Sequence, residues 1–228
     1  MVRTDTKVAL VALSVASGSL DVSAFLRLGG VFASIMTSNL IFVSLAVVKA
    51  DAALGEHCAT ALACYITGVA LGSAAVPPSA DVTRLDTRRF GLLVAAEATV
   101  LAIYGAWWVA LGAPPGGWQQ LALLGAVTFA MGLQGTAGRA LGAPEAGTTY
   151  MTGTLTAMVA TVVTGRRPDA GASLAIVGIV AGAALGAGLL ETVADLTPLV
   201  AVAGTASIAG LSWSRWRRAE AAPVDPAD

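Results

Sequence analysis

Long apolar stretches constrain this chain more than any other feature of its sequence. Hydrophobic residues make up 56% of its 228 residues and charged residues only 12%, a composition typical of polytopic membrane proteins. A helix needs about 20 mostly apolar residues to cross a hydrocarbon core of about 30 Å. Four stretches meet this requirement without interruption: residues 58–76, 90–111, 171–190 and 198–213.

Two further crossings are expected from apolar regions that polar residues interrupt, 8–48 and 118–164. The interruptions repeat each other, because LGGVFASIMTSNL at 28–40 returns as LGAPEAGTTYMTGTL at 141–155. This repeat predicts a duplicated membrane unit. Six crossings use nearly all of the chain, and therefore no separate soluble domain is expected.

The basic residues predict how the chain is threaded through the membrane. Cytoplasmic loops are enriched in Lys and Arg. If each interrupted region makes one net crossing, ten basic residues fall on one side and Lys49 on the other. If all eight apolar pieces crossed, the arginines around Arg88 would lie outside. The ten residues are Arg3, Lys7, Arg84, Arg88, Arg89, Arg166, Arg167, Arg215, Arg217 and Arg218.

Three crossings per half is an odd number, so the second half is predicted to be inverted relative to the first. The predicted fold is all-α, a polytopic membrane helix bundle with six net crossings. It is a 3+3 inverted repeat with a broken first span in each half and cytoplasmic termini. Residues 1–112 form the first repeat, 113–218 the second, and 219–228 a disordered tail.

Glycines spaced four apart predict close helix packing: Gly68, Gly72, Gly178, Gly182 and Gly186.

Five ionisable residues fall at or near the predicted membrane depth: Asp21, Arg27, Glu97, Arg139 and Glu145. Each costs about 2.5–3.5 kcal/mol at a helix centre on insertion scales, unless it pairs or meets water. Asp21 and Glu97 are therefore candidates for an ion-binding or proton-coupling site. The alternative is structural pairing, of Asp21 with Arg139 or of Glu97 with Arg27.

Two clusters of hydroxyl and amide groups complete the candidate substrate- or ion-binding site: Thr37, Ser38, Asn39, Thr149, Thr152, Gly153 and Thr154. They fall where helices are expected to restart after the interruptions. Unpaired N–H groups at such a helix start suit an anion or a carboxylate. Alternatively, these side chains only cap their own helices. Gln134 holds the place in the second repeat that Asp21 holds in the first, which predicts an amide opposite the acid.

These motifs resemble a known family. The segments GSLDVSAFLRLGGVFASIMTSNL, MGLQGTAGRALGAPEAGTTYMTGTL and LLVAAEATVLAI are similar to those of the YoaK family of bacterial membrane proteins. That family is a domain of unknown function, and the resemblance implies a six-helix inner-membrane protein without an established substrate. This chain departs from the family at Ser38, where Gly is usual, and in a longer connection at 144–147.

We expect a small secondary transporter or permease for an anionic or zwitterionic solute. A non-transporting structural or accessory membrane subunit is the alternative. No enzyme motif such as HExxH or GxSxG is present and the chain has a single histidine, so neither catalysis nor a metal or cofactor is expected. A net charge of −1 argues against nucleic acid. The expected partners are the lipid bilayer, a small-molecule or ion ligand and, as an open possibility, further copies of the chain.

Overall fold

The computed structural model describes residues 2–75, 87–112, 115–140 and 151–220, and all regular structure in these ranges is helical. A short 3-10 turn at Ala194–Leu196 precedes the last helix. The α-helices of the described ranges are α1 Val2–Arg27, α2 Met36–Lys49, α3 Ala52–Ala75, α4 Thr87–Leu111, α5 Gly117–Ala140, α6 Met151–Val163, α7 Ala170–Thr192 and α8 Thr197–Glu220.

Six of these helices are long and apolar enough to cross a membrane, namely α1, α3, α4, α5, α7 and α8. The helices α2 and α6 have only 14 and 13 residues. At 1.5 Å per residue they are about 20 Å long, which is short of a hydrocarbon core of about 30 Å. The prediction of an all-helical membrane protein with six spans is confirmed. Both short helices lie in the regions that the sequence marks as interrupted.

Contacts between helices fix their relative directions. Helices α1 and α7 are parallel, because Val15 lies against Gly182 and Ser19 against Gly186. Helices α3 and α5 are also parallel, because Thr60 lies near Gly125 and Thr136 lies against Gly72. In each pair the residue numbers rise together along the interface.

Three other helix pairs are antiparallel. In α4 and α8, Gly91 faces Ser212 while Gly105 faces Pro198. In α1 and α8, Ala9 clusters with Ile208 and Ala16 with Ala201. In α4 and α5, the rings of Trp107 and Trp118 are 5.6 Å apart at one end, and Phe90 clusters with Ala137 at the other. The six long helices therefore alternate in direction along the chain.

This alternation brings the basic helix ends together. The starts of α1, α4 and α7 and the end of α8 lie at one end of the bundle, which we call the basic face. Arg89 lies in the first turn of α4, Arg166 and Arg167 precede α7, and α8 ends beyond Arg215. Lys49, at the end of α2, lies at the opposite end, which we call the Lys49 face. The sorting of basic residues to one side agrees with one net crossing for each interrupted region.

Glycines allow the two parallel pairs to pack backbone against backbone. A Cβ on Gly182 would collide with the carbonyl oxygen of Val15, and one on Gly18 would collide with that of Ile179. The same reciprocal contact joins the other pair, where Gly68 meets the Phe129 carbonyl and Gly132 meets the Tyr65 carbonyl. Close packing at the predicted glycines is confirmed.

The substitution Gly182→Ala is expected to destabilise the bundle, because the added methyl group must push α1 and α7 apart along their whole interface. Overpacking of this kind costs about 1–3 kcal/mol. Gly188→Ala, on the same helix, is the matched control, because a Cβ there meets nothing within 4 Å. Thermal unfolding in detergent should show a lowered midpoint for Gly182→Ala and an unchanged or raised one for the control. Equal midpoints would contradict the contact.

Candidate functional site

The connection after α1 turns back towards the interior of the bundle. Gly29 and Gly30 both adopt the left-handed backbone conformation, with φ of 99° and 74°, which favours glycine. Gly29 also packs against the ring of His57 on α3. The residues that follow, up to Ser34, are mostly buried. We call residues 28–35 the re-entrant segment.

Asp21 fixes the depth of the re-entrant segment. Its Oδ1 accepts a hydrogen bond from the Ser34 peptide N–H at 2.7 Å, and its Oδ2 accepts one from the Ser34 hydroxyl at 2.6 Å. Asp21 lies six residues before Arg27, the last residue of α1, which is about 9 Å along the helix axis. Ser34 is therefore held well inside the span, with irregular backbone around it.

Asn39 holds the same segment from the other side. Its amide group pairs with both backbone polar groups of Phe32: Oδ1 accepts from the N–H at 2.9 Å, and Nδ2 donates to the carbonyl oxygen at 2.8 Å. Asn39 is fully buried. A buried peptide needs such partners, because backbone that is not helical has no internal hydrogen bonds to satisfy it. Asp21 and Asn39 thus hold the re-entrant segment in place, a role that neither the charge-pair alternative nor the capping alternative gave them.

The other polar residues after the interruptions, where the structure describes them, differ in exposure. On α2, Thr37 is exposed and Ser38 is half-buried. On α6, Thr152 and Gly153 are exposed, whereas Thr154 is buried and has a partner. Thr149, Glu145 and the side chain of Arg139 lie outside the described residues, and so does the proposed contact of Asp21 with Arg139.

Gln134 lies at a different depth from Asp21. Its Nε2 donates to the carbonyl oxygen of Leu13 at 3.3 Å, and Leu13 is eight residues before Asp21 on α1, or about 12 Å along the axis. The Oε1 atom of Gln134 is buried without a hydrogen-bond partner among the described residues. The predicted equivalence of Asp21 and Gln134 therefore does not place them in one site.

Of the two buried acidic side chains in the described residues, Asp21 and Glu97, Glu97 is the one without a hydrogen bond. It is fully buried on α4, and neither carboxyl oxygen has a hydrogen-bond partner in the described residues. The predicted pair of Glu97 with Arg27 is wrong. Arg27 instead donates from Nη2 to the carbonyl oxygen of Leu190, at 3.5 Å, near the end of α7. The two residues are separated because Arg27 ends α1 at the Lys49 face, whereas Glu97 lies in the interior of α4.

A polar network ties the helix ends together at the Lys49 face. The Gln120 amide donates from Nε2 to the Arg27 carbonyl at 2.8 Å, while its Oε1 lies 3.0 Å from Nε2 of His57. The other ring nitrogen of His57 lies 2.6 Å from the Ala53 carbonyl oxygen. This network joins α1, α3 and α5.

Sequence reasoning missed Ser34, Phe32 and Gln120, the partners of Asp21, Asn39 and His57. Their positions follow from the path of the chain, which the local sequence pattern indicates at one point only. A contact between Asp21 and Ser34 depends on a backbone that reverses at Gly29, and the GG pair is the one local indication of that reversal.

Comparison with known proteins places the chain in a family without an assigned activity. A family model described as "Protein of unknown function (DUF1275)" matches residues 9–211, which is most of the chain and covers nearly all of the six spans. The resemblance to a YoaK-type family is confirmed. No curated protein and no solved structure matches the chain.

Proposed function

Since the chain belongs to the DUF1275 family, whose function is unknown, we propose from its geometry alone that it is a small secondary transporter. The proposal rests mainly on the re-entrant segment. Irregular backbone at membrane depth is tolerated only where it is buried in protein or lines a water-filled cavity. Transporters use such interrupted segments to bind solutes near the membrane midplane.

The two halves support this proposal, because their helices run in opposite directions. The order α1, α3, α4 in 1–112 corresponds to α5, α7, α8 in 113–218, and each helix is antiparallel in direction to its counterpart. The reciprocal glycine contacts correspond as well: Gly18 against Ile179 has its equivalent in Gly132 against Tyr65. We infer a 3+3 inverted repeat, an arrangement found in many secondary transporters.

The ends of the two short helices also correspond. After α2, Asp51 N–H donates to the Ala46 carbonyl oxygen and Ala50 adopts a left-handed conformation. After α6, Arg166 N–H donates to the Thr161 carbonyl oxygen and Gly165 is left-handed. Both are Schellman motifs at equivalent positions in the two halves. The short helices are therefore part of the inferred repeat.

The starts of α2 and α6 favour an anionic or zwitterionic solute. Neither helix has an acidic residue in its first turn, and Ile35 does not cap α2 with a side chain. Within the described residues, neither first turn therefore supplies an acidic side chain of its own against the partial positive charge of the helix start. Thr37 and Thr152 carry exposed hydroxyls next to these starts.

By the positive-inside rule we place the basic face in the cytoplasm, with both termini there, in a bacterial inner membrane.

An accessory subunit without transport activity is the second candidate. It is favoured by the fact that both carboxyl oxygens of Asp21 and the amide group of Asn39 already make hydrogen bonds within their own half. In such a protein the re-entrant segment would be dry. The two candidates differ in whether water reaches Thr37 and Thr152.

Thiol labelling with a membrane-impermeant maleimide tests this difference in a background without Cys58 and Cys64. We expect Thr37→Cys to react from the Lys49 face and Thr152→Cys from the basic face, because alternating access opens each half to its own side. Asp51→Cys, at the exposed helix end, is the positive control. Ile41→Cys, an exposed apolar position on α2, is the lipid-facing negative control. Unreactive thiols at both Thr37 and Thr152, with Asp51→Cys reactive, would establish the accessory role instead.

A further inference from the structure

We propose that Glu97 is a proton-binding site at the centre of the bundle, separate from the re-entrant segment, and that it couples solute movement to protons. The coupling role rests on the proposed transport function, whereas proton binding does not. Four observations carry the inference: the depth of Glu97, the apolar layers around it, the unsatisfied oxygens of Glu97 and Gln134, and the regular backbone around Glu97.

Glu97 lies close to the middle of its span. The membrane-spanning part of α4 is Arg89–Leu111, and Glu97 is three residues from its midpoint, about 4.5 Å along the axis. It is on the buried face of α4. The other residues on this face are apolar or aromatic, among them Phe90, Val94, Leu101, Tyr104 and Trp108. The carboxyl group of Glu97 therefore lies on a helix face that is otherwise apolar or aromatic.

Two apolar clusters enclose the level of Glu97. Towards the basic face, Val94 packs in a cluster formed by Ala9, Phe90, Leu93, Val94, Leu133, Ala137 and Ile208. Towards the Lys49 face, Leu101 packs in a larger cluster that includes Ala16, Met131 and Ala201. Each cluster draws residues from α1, α4, α5 and α8. Glu97 therefore lies in a layer between them, with no exposed surface.

A neighbouring helix holds a further polar group without a partner. Gln134 on α5, the helix packed against α4, is also buried, and its Oε1 atom has no hydrogen-bond partner in the described residues. Thr205 on α8 uses its hydroxyl on the Ala201 carbonyl. Buried polar groups normally have hydrogen-bond partners. The three unsatisfied oxygens of Glu97 and Gln134, on neighbouring helices, therefore point to a ligand.

A proton fits this layer better than a metal cation does. Sodium sites in transporters draw on backbone carbonyls freed where a helix is unwound. In this chain the described unwound backbone is the re-entrant segment, at the level of Asp21. Leu13, which marks the level of Gln134, is about 12 Å away along α1. Around Glu97 the helices are regular, so their carbonyls are already used. A proton needs one carboxyl oxygen and leaves a neutral acid, which apolar surroundings tolerate.

Infrared spectroscopy of the full-length protein in liposomes tests proton binding without knowledge of the solute. A protonated carboxyl has a C=O stretch distinct from that of a carboxylate. We expect such a band in the wild type, shifted in heavy water and lost as the buffer becomes alkaline. Glu97→Gln should remove it, whereas Asp21→Asn should retain it. Replacing choline chloride with sodium chloride at constant pH should leave the band unchanged.

Two results would overturn the proposal. One is the absence of any band difference between the wild type and Glu97→Gln across the pH range in which both stay folded. The other is loss of the band with sodium, which would make Glu97 a sodium ligand. Neither result alters thiol labelling at Thr37 and Thr152, so failure of this site is distinguishable from failure of the transport proposal.

If Glu97→Gln does not fold, a hydrophobic carbodiimide gives the same answer on wild-type membranes. The protonated carboxyl adds across one N=C bond of the reagent to form an O-acylisourea. This product rearranges to a stable N-acylurea with no leaving group. We expect mass spectrometry to find the whole reagent mass on Glu97, with less adduct at alkaline pH. An unmodified Glu97 at acidic pH would contradict proton binding.

Discussion

Replacing Asp21 with leucine is expected to lower the free energy of unfolding by about 3 kcal/mol. The leucine side chain cannot accept the two short hydrogen bonds from Ser34. Ser34 is itself 1% exposed, so its peptide N–H and its hydroxyl would be buried without partners. The re-entrant segment would then lose the contact that holds it inside the span.

Asp21→Asn is the matched comparison and should cost less than half as much. Its Oδ1 can accept from the Ser34 peptide N–H, while its Nδ2 can donate to the hydroxyl oxygen of Ser34. The two variants should be compared by thermal or denaturant unfolding in the same detergent. Similar losses for both would mean that the negative charge of Asp21, and not the hydrogen-bond pattern, holds the segment. No loss for Asp21→Leu would mean that the segment is held without Asp21.

Helix content and membrane class could be predicted from sequence because they depend on local quantities. The hydrocarbon thickness sets the length of an apolar run, so 90–111 predicted α4 as Thr87–Leu111 within a few residues. The position of Arg89, Arg166 and Arg167 at the starts of α4 and α7 was enough to predict which helix ends lie together. Neither the helix lengths nor the grouping of helix ends depends on which helices are in contact.

The interrupted regions could be located from sequence, but the contacts that their polar residues make could not. The pattern identified Asp21 and Asn39 as unusual for a membrane span, and the structure shows why they are there. Each satisfies backbone in the re-entrant segment. Sequence could not reveal this, because Ser34 and Phe32 come within reach only after the chain reverses at Gly29 and Gly30.

Depth was the second quantity that the sequence could not supply. Arg27 and Glu97 form a plausible pair by charge alone, yet one ends α1 and the other lies near the middle of α4. Likewise, Asp21 and Gln134 hold equivalent places in the two halves. In an inverted pair of halves, equivalent residues lie at opposite depths, so equivalence in sequence argues against their sharing a site unless both lie at the midplane. The hydrogen bond from Gln134 to Leu13 agrees with that separation.

Replacing Glu97 with methionine is expected to stabilise the protein while abolishing any proton coupling. Substituting apolar residues for buried ionisable groups is often neutral or stabilising by about 1–4 kcal/mol, and Glu97 has no described hydrogen bond to lose. A raised unfolding midpoint would mean that the carboxyl is kept at a cost in stability, as expected of a functional group.

Leu101→Met is the control for that substitution, because Leu101 is one turn further along the same buried face and equally buried. Its change from one apolar side chain to another should cost less than about 1.5 kcal/mol. If Glu97 instead formed part of a satisfied structural network, Glu97→Met would leave its partners buried and unpaired, at a cost of about 3–5 kcal/mol. The two interpretations of Glu97 therefore predict opposite signs in one unfolding experiment, which needs neither a solute nor a transport assay.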